Sequence, residues 1–354
     1  MTLSVIVVTL NRPDCVRRCL TRLVAQDPLP DQVIVVDASA DDLTRDVVRE
    51  FPGVLYLRNE NGFGRMTRSR NIGLERAKGD IIAFLDDDAF AHDGWSANLL
   101  QTYRDGGAEV GAVGGRALNN NPGEDKQGVD RIGKLSRSGS LTGYFAADPG
   151  RVIEVDHVMG CNMSYRREVI ARLGGFREDY PGISGLREDS DMCLRVKRLG
   201  YRILFNPLAV VDHLGAPQAV GKRFDLRYAY FSHRNHMVLL ARNFGLVSGV
   251  LWRGIIRESF DAAVECAKRI AGAAARLFVQ AAGTVVGLIG AVMLLIKTGR
   301  DPVRHDAEGR KLTAMLSRGA DLRPPASVDR AAVVASESNG VASQQQEAAC
   351  ASYS

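Results

Sequence analysis

The sequence predicts an α/β fold, a mostly parallel sheet flanked by helices, followed by a helical, membrane-associated C-terminal extension. Three observations carry this prediction. Apolar runs of strand length alternate with stretches of helical periodicity from Ser4 to Gly114, the pattern of a parallel sheet wound in the right-handed sense. Polar residues collect where those runs stop, which is where open parallel sheets bind their ligands. Last, Leu277 to Ile296 runs without a charge.

Each element follows from its own residues. Ser4 to Asn11 reads SVIVVTLN, a buried-strand pattern, and Cys15 to Gln26 places Val16, Cys19, Leu20 and Leu23 on one helical face. Gln32 to Asp37 (QVIVVD) is a second strand, Leu43 to Phe51 a helix, Val54 to Leu57 a short strand and Met66 to Lys78 a helix. Ile81 to Leu85 is apolar throughout, as in a strand buried on both faces. Beyond it, Asp93 opens a helix to Tyr103, and Val110 to Gly114 is a strand. Arg116 to Gly150 is rich in Asn, Gly, Ser and charge and reads as a mobile surface segment of the kind that forms lids. Val152 to Val158 returns to strand, Gly160 to Tyr165 leads into a helix through Leu173, and Pro207 to Asp212 is a strand ending at His213.

Two carboxylate clusters stand out against this frame. Asp86, Asp87 and Asp88 end the Ile81 strand. Three adjacent anions repel one another and need a compensating cation; their hard oxygens suit Mg²⁺ or Mn²⁺, and Mg²⁺ commonly completes its shell with substrate phosphates. The plainer alternative is a solvated acidic turn. Glu188, Asp189 and Asp191 open a helix that ends at Gly200. Carboxylates there favour the helix macrodipole, so capping alone would account for them. A carboxylate that takes a proton from an attacking hydroxyl is the functional alternative.

Four stretches, SVIVVTLNR, VIVVDASADD, RSRNIGLERAKGDIIAFLDDDA and GLREDSDMCLR, occur in this order and together resemble glycosyltransferase family 2, which has the GT-A fold. The resemblance covers residues 2–240. It implies a GT-A domain over 1–240, with 1–115 binding the nucleotide sugar and 151–240 forming the acceptor and catalytic half. It implies sugar transfer from a nucleotide-diphosphate donor to an acceptor hydroxyl, with inversion and a divalent metal, Mg²⁺ or Mn²⁺. Asp86 and Asp88 would hold that metal, completed by His213, for which a structural role is the plainer reading. Asp86 and Asp87 would also meet the donor, with Thr9 (through its main chain), Asp37 at the nucleobase or ribose, and Arg70 at the diphosphate or nucleotide. Asp37 as a turn cap and Arg70 in a surface ion pair are the structural alternatives. Asp189 falls on the family's base, Glu188 would position acceptor or base, and Asp191 is expected to cap its helix. A metal on the phosphates stabilises the departing charge, so a single base suffices.

Other signatures fail. Gly62-Phe63-Gly64 has no third glycine at the dinucleotide spacing, and Gly128 to Leu135 is one residue short of a P-loop, with Leu135 where a hydroxyl belongs. HExxH and paired CxxC motifs are absent, and Cys15 and Cys19 read as core. A sugar-1-phosphate nucleotidyltransferase would carry a glycine-rich basic loop after its first strand; this chain has Thr9-Leu10-Asn11-Arg12-Pro13. A non-catalytic membrane-associated binding protein would be expected to have lost its carboxylates. The net charge of +5 fits a weakly basic surface beside anionic lipid and gives no case for nucleic acid. Six scattered cysteines suggest reduced thiols in a cytosolic compartment, and the N-terminus goes straight into a strand, so that no signal peptide is visible.

The last third departs from the catalytic pattern. Residues 241–300 read as helical and membrane-associated, with 260–276 amphipathic and 277–296 long enough to cross a bilayer. Gln280, Gly283, Gly287 and Gly290 dilute that run, and basic residues flank both ends, so a span, a re-entrant hairpin, an in-plane anchor and a buried helix of a soluble oligomer all stay open. Residues 301–354 read as a polar tail, disordered from Ala331 onward. The expected place is the cytoplasmic face of the cell membrane, acting on a saccharide or lipid-linked acceptor for surface polysaccharide or glycolipid.

Overall fold

Strand and helix do alternate as the sequence predicts. The computed structural model describes residues 1–60, 66–180, 186–215, 225–257 and 273–317. The strands are β1 (Leu3–Thr9), β2 (Gln32–Asp37), β3 (Leu55–Arg58), β4 (Ile81–Asp86), β5 (Ala89–Ala91), β6 (Val110–Leu118), β7 (Ile153–Glu154), β8 (Asn162–Arg166) and β9 (Arg202–His213). They form one sheet in the order β3-β2-β1-β4-β8-β6-β9-β5, with β7 beside β9. Strands β3, β2, β1 and β4 run parallel, and β8 runs antiparallel between β4 and β6.

Helices cover both faces. Leu3, Val5 and Val7 of β1 share a core with Val16, Cys19, Leu20 and Leu23 of α1 (Pro13–Val24), the face the periodicity predicts. Ile6, pointing the other way, meets α3 (Met66–Leu74): a Cβ on Gly73 would lie 2.6 Å from its Cγ2. Every residue of β1 is buried, and each such aliphatic side chain contributes about 1.5–3 kcal/mol against exposure. Helices α2 (Leu43–Arg49), α4 (Trp95–Gly106) and α5 (Arg167–Leu173) complete the layers.

The structure corrects three local expectations. Asn162–Arg166 is a strand, although its polar alternation reads as a lead-in to a helix. Asn162 donates to the carbonyls of Arg116 and Ala209, and Ser164 to that of Val113, so polar side chains sit inside a fully covered sheet. The strand expected over 152–158 shrinks to Ile153–Glu154, because Asp156 and His157 turn to bond the Gly133 carbonyl. The 116–150 segment is irregular but packed: Ile132 and Ala147 are buried, and Leu135 bridges Leu141.

Four later helices complete the fold: α6 (Glu188–Arg198), α7 (Leu226–Phe244), α8 (Ala273–Thr298) and α9 (Ala307–Leu316). Residues 249–257 are also helical. Residues 301–317 return to the catalytic layers, with Arg304 donating to the Phe176 carbonyl and Thr313 to that of Ala171. Residues 260–272 of the amphipathic stretch and the tail from Ala331 lie outside the described residues.

Candidate active site

Parallel pairing assembles the first half of the site. Thr9 is in register with Asp37, and Val8 with Asp86, so the polar ends of β1, β2 and β4 lie side by side. Pairing of β5 with β9 sets His213 opposite Ala89, and the Leu214 N–H donates to the Asp88 carbonyl at 3.2 Å. One ligand atom each from Asp86, Asp88 and His213 then lie within 4.8 Å of one another, a group able to hold a metal ion. Nδ1 of His213 is buried and has no hydrogen-bond partner among the described residues. The three aspartates therefore divide their work.

Asp87 turns inward. Its carboxylate accepts from the Thr9 hydroxyl at 2.6 Å and pairs with Arg12 at 2.7 Å. Burial pushes its pKa up to about 7, partly opposed by the Arg12 guanidinium. Arg12 also meets Asp88 at 3.1 Å. It is a cation beside the acidic triplet that sequence reading passed over, although its place just after β1, the neighbour of β4, was a usable signal. Thr9 is doubly engaged, since its carbonyl accepts from Ala38. Asp37 is wholly buried, with one oxygen bonded to the Ser39 amide and hydroxyl and the other to the Tyr56 hydroxyl at 2.9 Å.

The second cluster faces the first across Arg70. This guanidinium, 1% exposed, reaches Glu188 at 2.7 Å with one nitrogen and Asp86 at 3.4 Å with the other. Phe176 lies under it, 5.6 Å from ring centroid to guanidinium carbon. The ion pair expected as the structural alternative for Arg70 is thus present, but it is buried and joins both clusters. Burial, with Asp189 adding to it, raises the Glu188 pKa to about 8 against the opposing pull of Arg70.

Asp189 remains partly exposed. Its Oδ2 accepts from the Gly160 amide at 3.1 Å and its Oδ1 from the Ser190 amide at 2.6 Å. A side chain at residue 160 would crowd this contact, with its Cβ 3.1 Å from Arg70 Nη2 and 3.3 Å from Asp189 Oδ2. Behind it, the Ser190 hydroxyl lies 3.2 Å from Asp189 and 3.4 Å from His157 Nδ1, while His157 Nε2 lies 3.0 Å from the Thr142 carbonyl. A carbonyl only accepts, so Nε2 carries the proton and Nδ1 is an acceptor toward Ser190. Burial lowers the pKa of His157, with Asp189 acting in the other direction. No spacing in the sequence marks His157.

Asp191 does not cap its helix. The N-cap position is Arg187, held at φ 81°, and its side chain makes no capping bond. Asp191 is buried among Arg177 at 3.1 Å, Tyr180 at 3.0 Å, Asn243 at 3.3 Å and Arg195 at 3.7 Å. These cations hold its pKa below the usual carboxylate range in spite of burial.

A mixed, mostly parallel sheet with helices on both faces and acidic residues at its carboxyl edge defines a GT-A glycosyltransferase fold. The sequence model described as Glycosyl transferase family 2 matches residues 4–174, and the protein is a glycosyltransferase. It is 28% identical over 230 residues to the glucosyl-dolichyl phosphate glucuronosyltransferase of Haloferax volcanii, covering 60% of this chain and 69% of that relative. It is 32% identical over 112 residues to the GalNAc(5)-diNAcBac-PP-undecaprenol beta-1,3-glucosyltransferase of Campylobacter jejuni, covering 30% and 36% respectively. In structure, S. aureus TarS 1-349 superposes with a TM-score of 0.52 at 16% identity, over 91% of this chain and 93% of that one, a likeness of fold.

Proposed function

We propose that the enzyme moves a sugar from a nucleoside-diphosphate donor to a hydroxyl of a saccharide or lipid-linked acceptor, inverting the anomeric carbon. The observation that carries this reading is Arg70, which ties the metal-binding edge at Asp86 to Glu188 beside the base. Donor and acceptor ends of the reaction thereby share one buried cation.

Two carboxylates and an imidazole fit Mg²⁺ or Mn²⁺, and His213 Nε2 lies 3.7 Å from Asp88 Oδ1. Asp86, Asp88 and His213 would hold such an ion, which would supply positive charge toward the departing diphosphate. Arg12 and Thr9 hold Asp87, which steadies the ligands on either side of it. Asp37 orients Tyr56 and Ser39 at the nucleoside end. Asp189, fixed by two main-chain amides, takes the acceptor's proton as its oxygen attacks the anomeric carbon and the bond to the diphosphate breaks. Glu188 and Arg70 position that base.

The names of both relatives contain a polyprenyl-linked sugar, and α8 carries an apolar stretch, Ala275–Thr298, long enough to cross a membrane. These support work at a membrane, in the synthesis of surface polysaccharide or glycolipid; the cytoplasmic face is part of the proposal because nucleotide sugars are made in the cytosol. Incubating the full chain with a panel of nucleotide sugars and Mn²⁺ tests the reading. Release of nucleoside diphosphate from one of them, with NMR of the freed or transferred sugar showing the opposite anomer, is expected. A retained anomer overturns inversion, and sugar-1-phosphate activation without transfer favours a nucleotidyltransferase.

A further inference from the structure

Helix α8 has two unlike faces. At about 100° per residue, Phe278, Val285, Ile289, Met293 and Ile296 fall on one side, while Gly283, Gly287 and Ala291 lie opposite. The large residues are bare: Phe278 is 74% exposed, Met293 67% and Ile296 82%. The glycine side is occupied by α7. A Cβ on Gly283 would lie 2.5 Å from the Tyr230 carbonyl oxygen, and one on Gly287 2.5 Å from that of Arg234. The two backbones approach as closely as small residues allow.

Helix α7 is in turn fixed to the catalytic layers. Asn235 donates to the Leu186 carbonyl at 2.9 Å, Arg242 pairs with Asp179 at 2.7 Å, and Asn243 reaches Asp191 at 3.3 Å. The middle of α8 is therefore covered by protein on one side. Were it to cross a bilayer there, α7 would carry Arg234, Asn235 and His236 into hydrocarbon, where such groups are costly. Charge points the same way. Residues 226–257 contain five arginines, residues 273–300 two arginines and a lysine, and neither stretch contains an aspartate or glutamate. Trp252 and Ile256, 53% and 68% exposed, add apolar surface beside the exposed Arg253.

The geometry points to a monotopic seat, in which α8 lies in the plane of an anionic bilayer, its glycine side on α7 and its Phe278–Ile296 side in the lipid. This deepens the membrane reading above and rests on it. The same contacts link the seat to the active site, because α7 holds the Leu186 carbonyl two residues before Glu188 and touches Asp191 within α6. An acceptor anchored in that bilayer would meet a base whose helix is braced from the membrane side.

The test uses the purified full chain and sealed phosphatidylcholine vesicles with or without phosphatidylglycerol. Flotation with the anionic vesicles is expected, and the double variant Ile289→Glu/Met293→Glu is expected to bind about tenfold less or weaker, having lost apolar insertion and gained charge. Cysteines introduced by Ala275→Cys and Thr298→Cys, at the two ends of α8, should both react with an impermeant maleimide from outside, as located by peptide mapping. Reaction at one end only would establish a span and overturn the seat. So would undiminished flotation of the double variant, or a lipid-free dimer that the same substitutions dissociate. Donor hydrolysis by the same preparations without vesicles reports separately on the enzymatic reading: its absence with flotation intact would refute the transferase chemistry and leave the seat standing.

Discussion

In the proposed reaction Asp189 is the base. Its two main-chain amide contacts leave the donor side untouched, so Asp189→Asn should bind donor as the parent does while losing about 10²–10⁴ in turnover. Nucleotide titration followed calorimetrically, beside a turnover assay, measures both; a variant with full turnover would move the base elsewhere. Glu188 makes a different prediction. Its pKa in the folded protein, about 8, lies above the ordinary carboxylate value, about 4.3 in an unfolded chain. The folded state therefore binds its proton more tightly, and the resulting stability is complete at acid pH and lost as pH rises through about 8. Melting temperatures of the parent and Glu188→Gln should accordingly diverge, the parent falling relative to the variant between mildly acid and alkaline pH. A parent that gains instead would mean that the Arg70 pair holds Glu188 ionised throughout. At this scale the sequence was partly legible. Asp86, Asp88, Asp189 and Arg70 announce themselves by motif, whereas Arg12 and His157 reach the site only through pairings that link residues far apart in the chain.

Among the elements, the parallel strands were the most readable, because continuous apolar runs such as Ile81–Leu85 have no other economical burial. Strand β8 was hidden, since Asn162 and Ser164 place polar groups where a buried strand is expected to be apolar and satisfy them with carbonyls of other strands. Asp191 was misread for a related reason: a carboxylate in a first helical turn looks like a cap until Arg177 and Arg195, distant or one turn onward, are seen around it. Its replacement should be costly to the fold. Asp191→Asn leaves buried guanidinium groups without their counter-charge, and breaking such a pair costs about 3–5 kcal/mol. Urea unfolding should show a loss of that order, with turnover per folded molecule changed far less than in Asp189→Asn. A loss under about 1 kcal/mol, the range of a helix cap, would restore the capping role.

In the molecule as a whole, a short series of contacts runs from Asp86 to Arg70, from Arg70 to Glu188, from α6 to α7 and from α7 to α8. The C-terminal third could not be placed from sequence, because a moderately apolar run with basic flanks reads alike as a span, an anchor or a core helix; its glycine contacts with α7 support the in-plane seat proposed above. In the proposed reaction Asp86, Asp88 and His213 would hold a divalent ion for the departing diphosphate. The most direct measurement is release of nucleoside diphosphate from the nucleotide sugar the enzyme accepts, followed as Mn²⁺ is added to metal-stripped full chain, Asp86→Ala and Asp88→Ala, with circular dichroism confirming the fold of each. The account predicts no release without metal, saturable restoration in the parent, and none in either variant at the concentration that saturates the parent. Full release in excess EDTA, or from both folded variants, would contradict it.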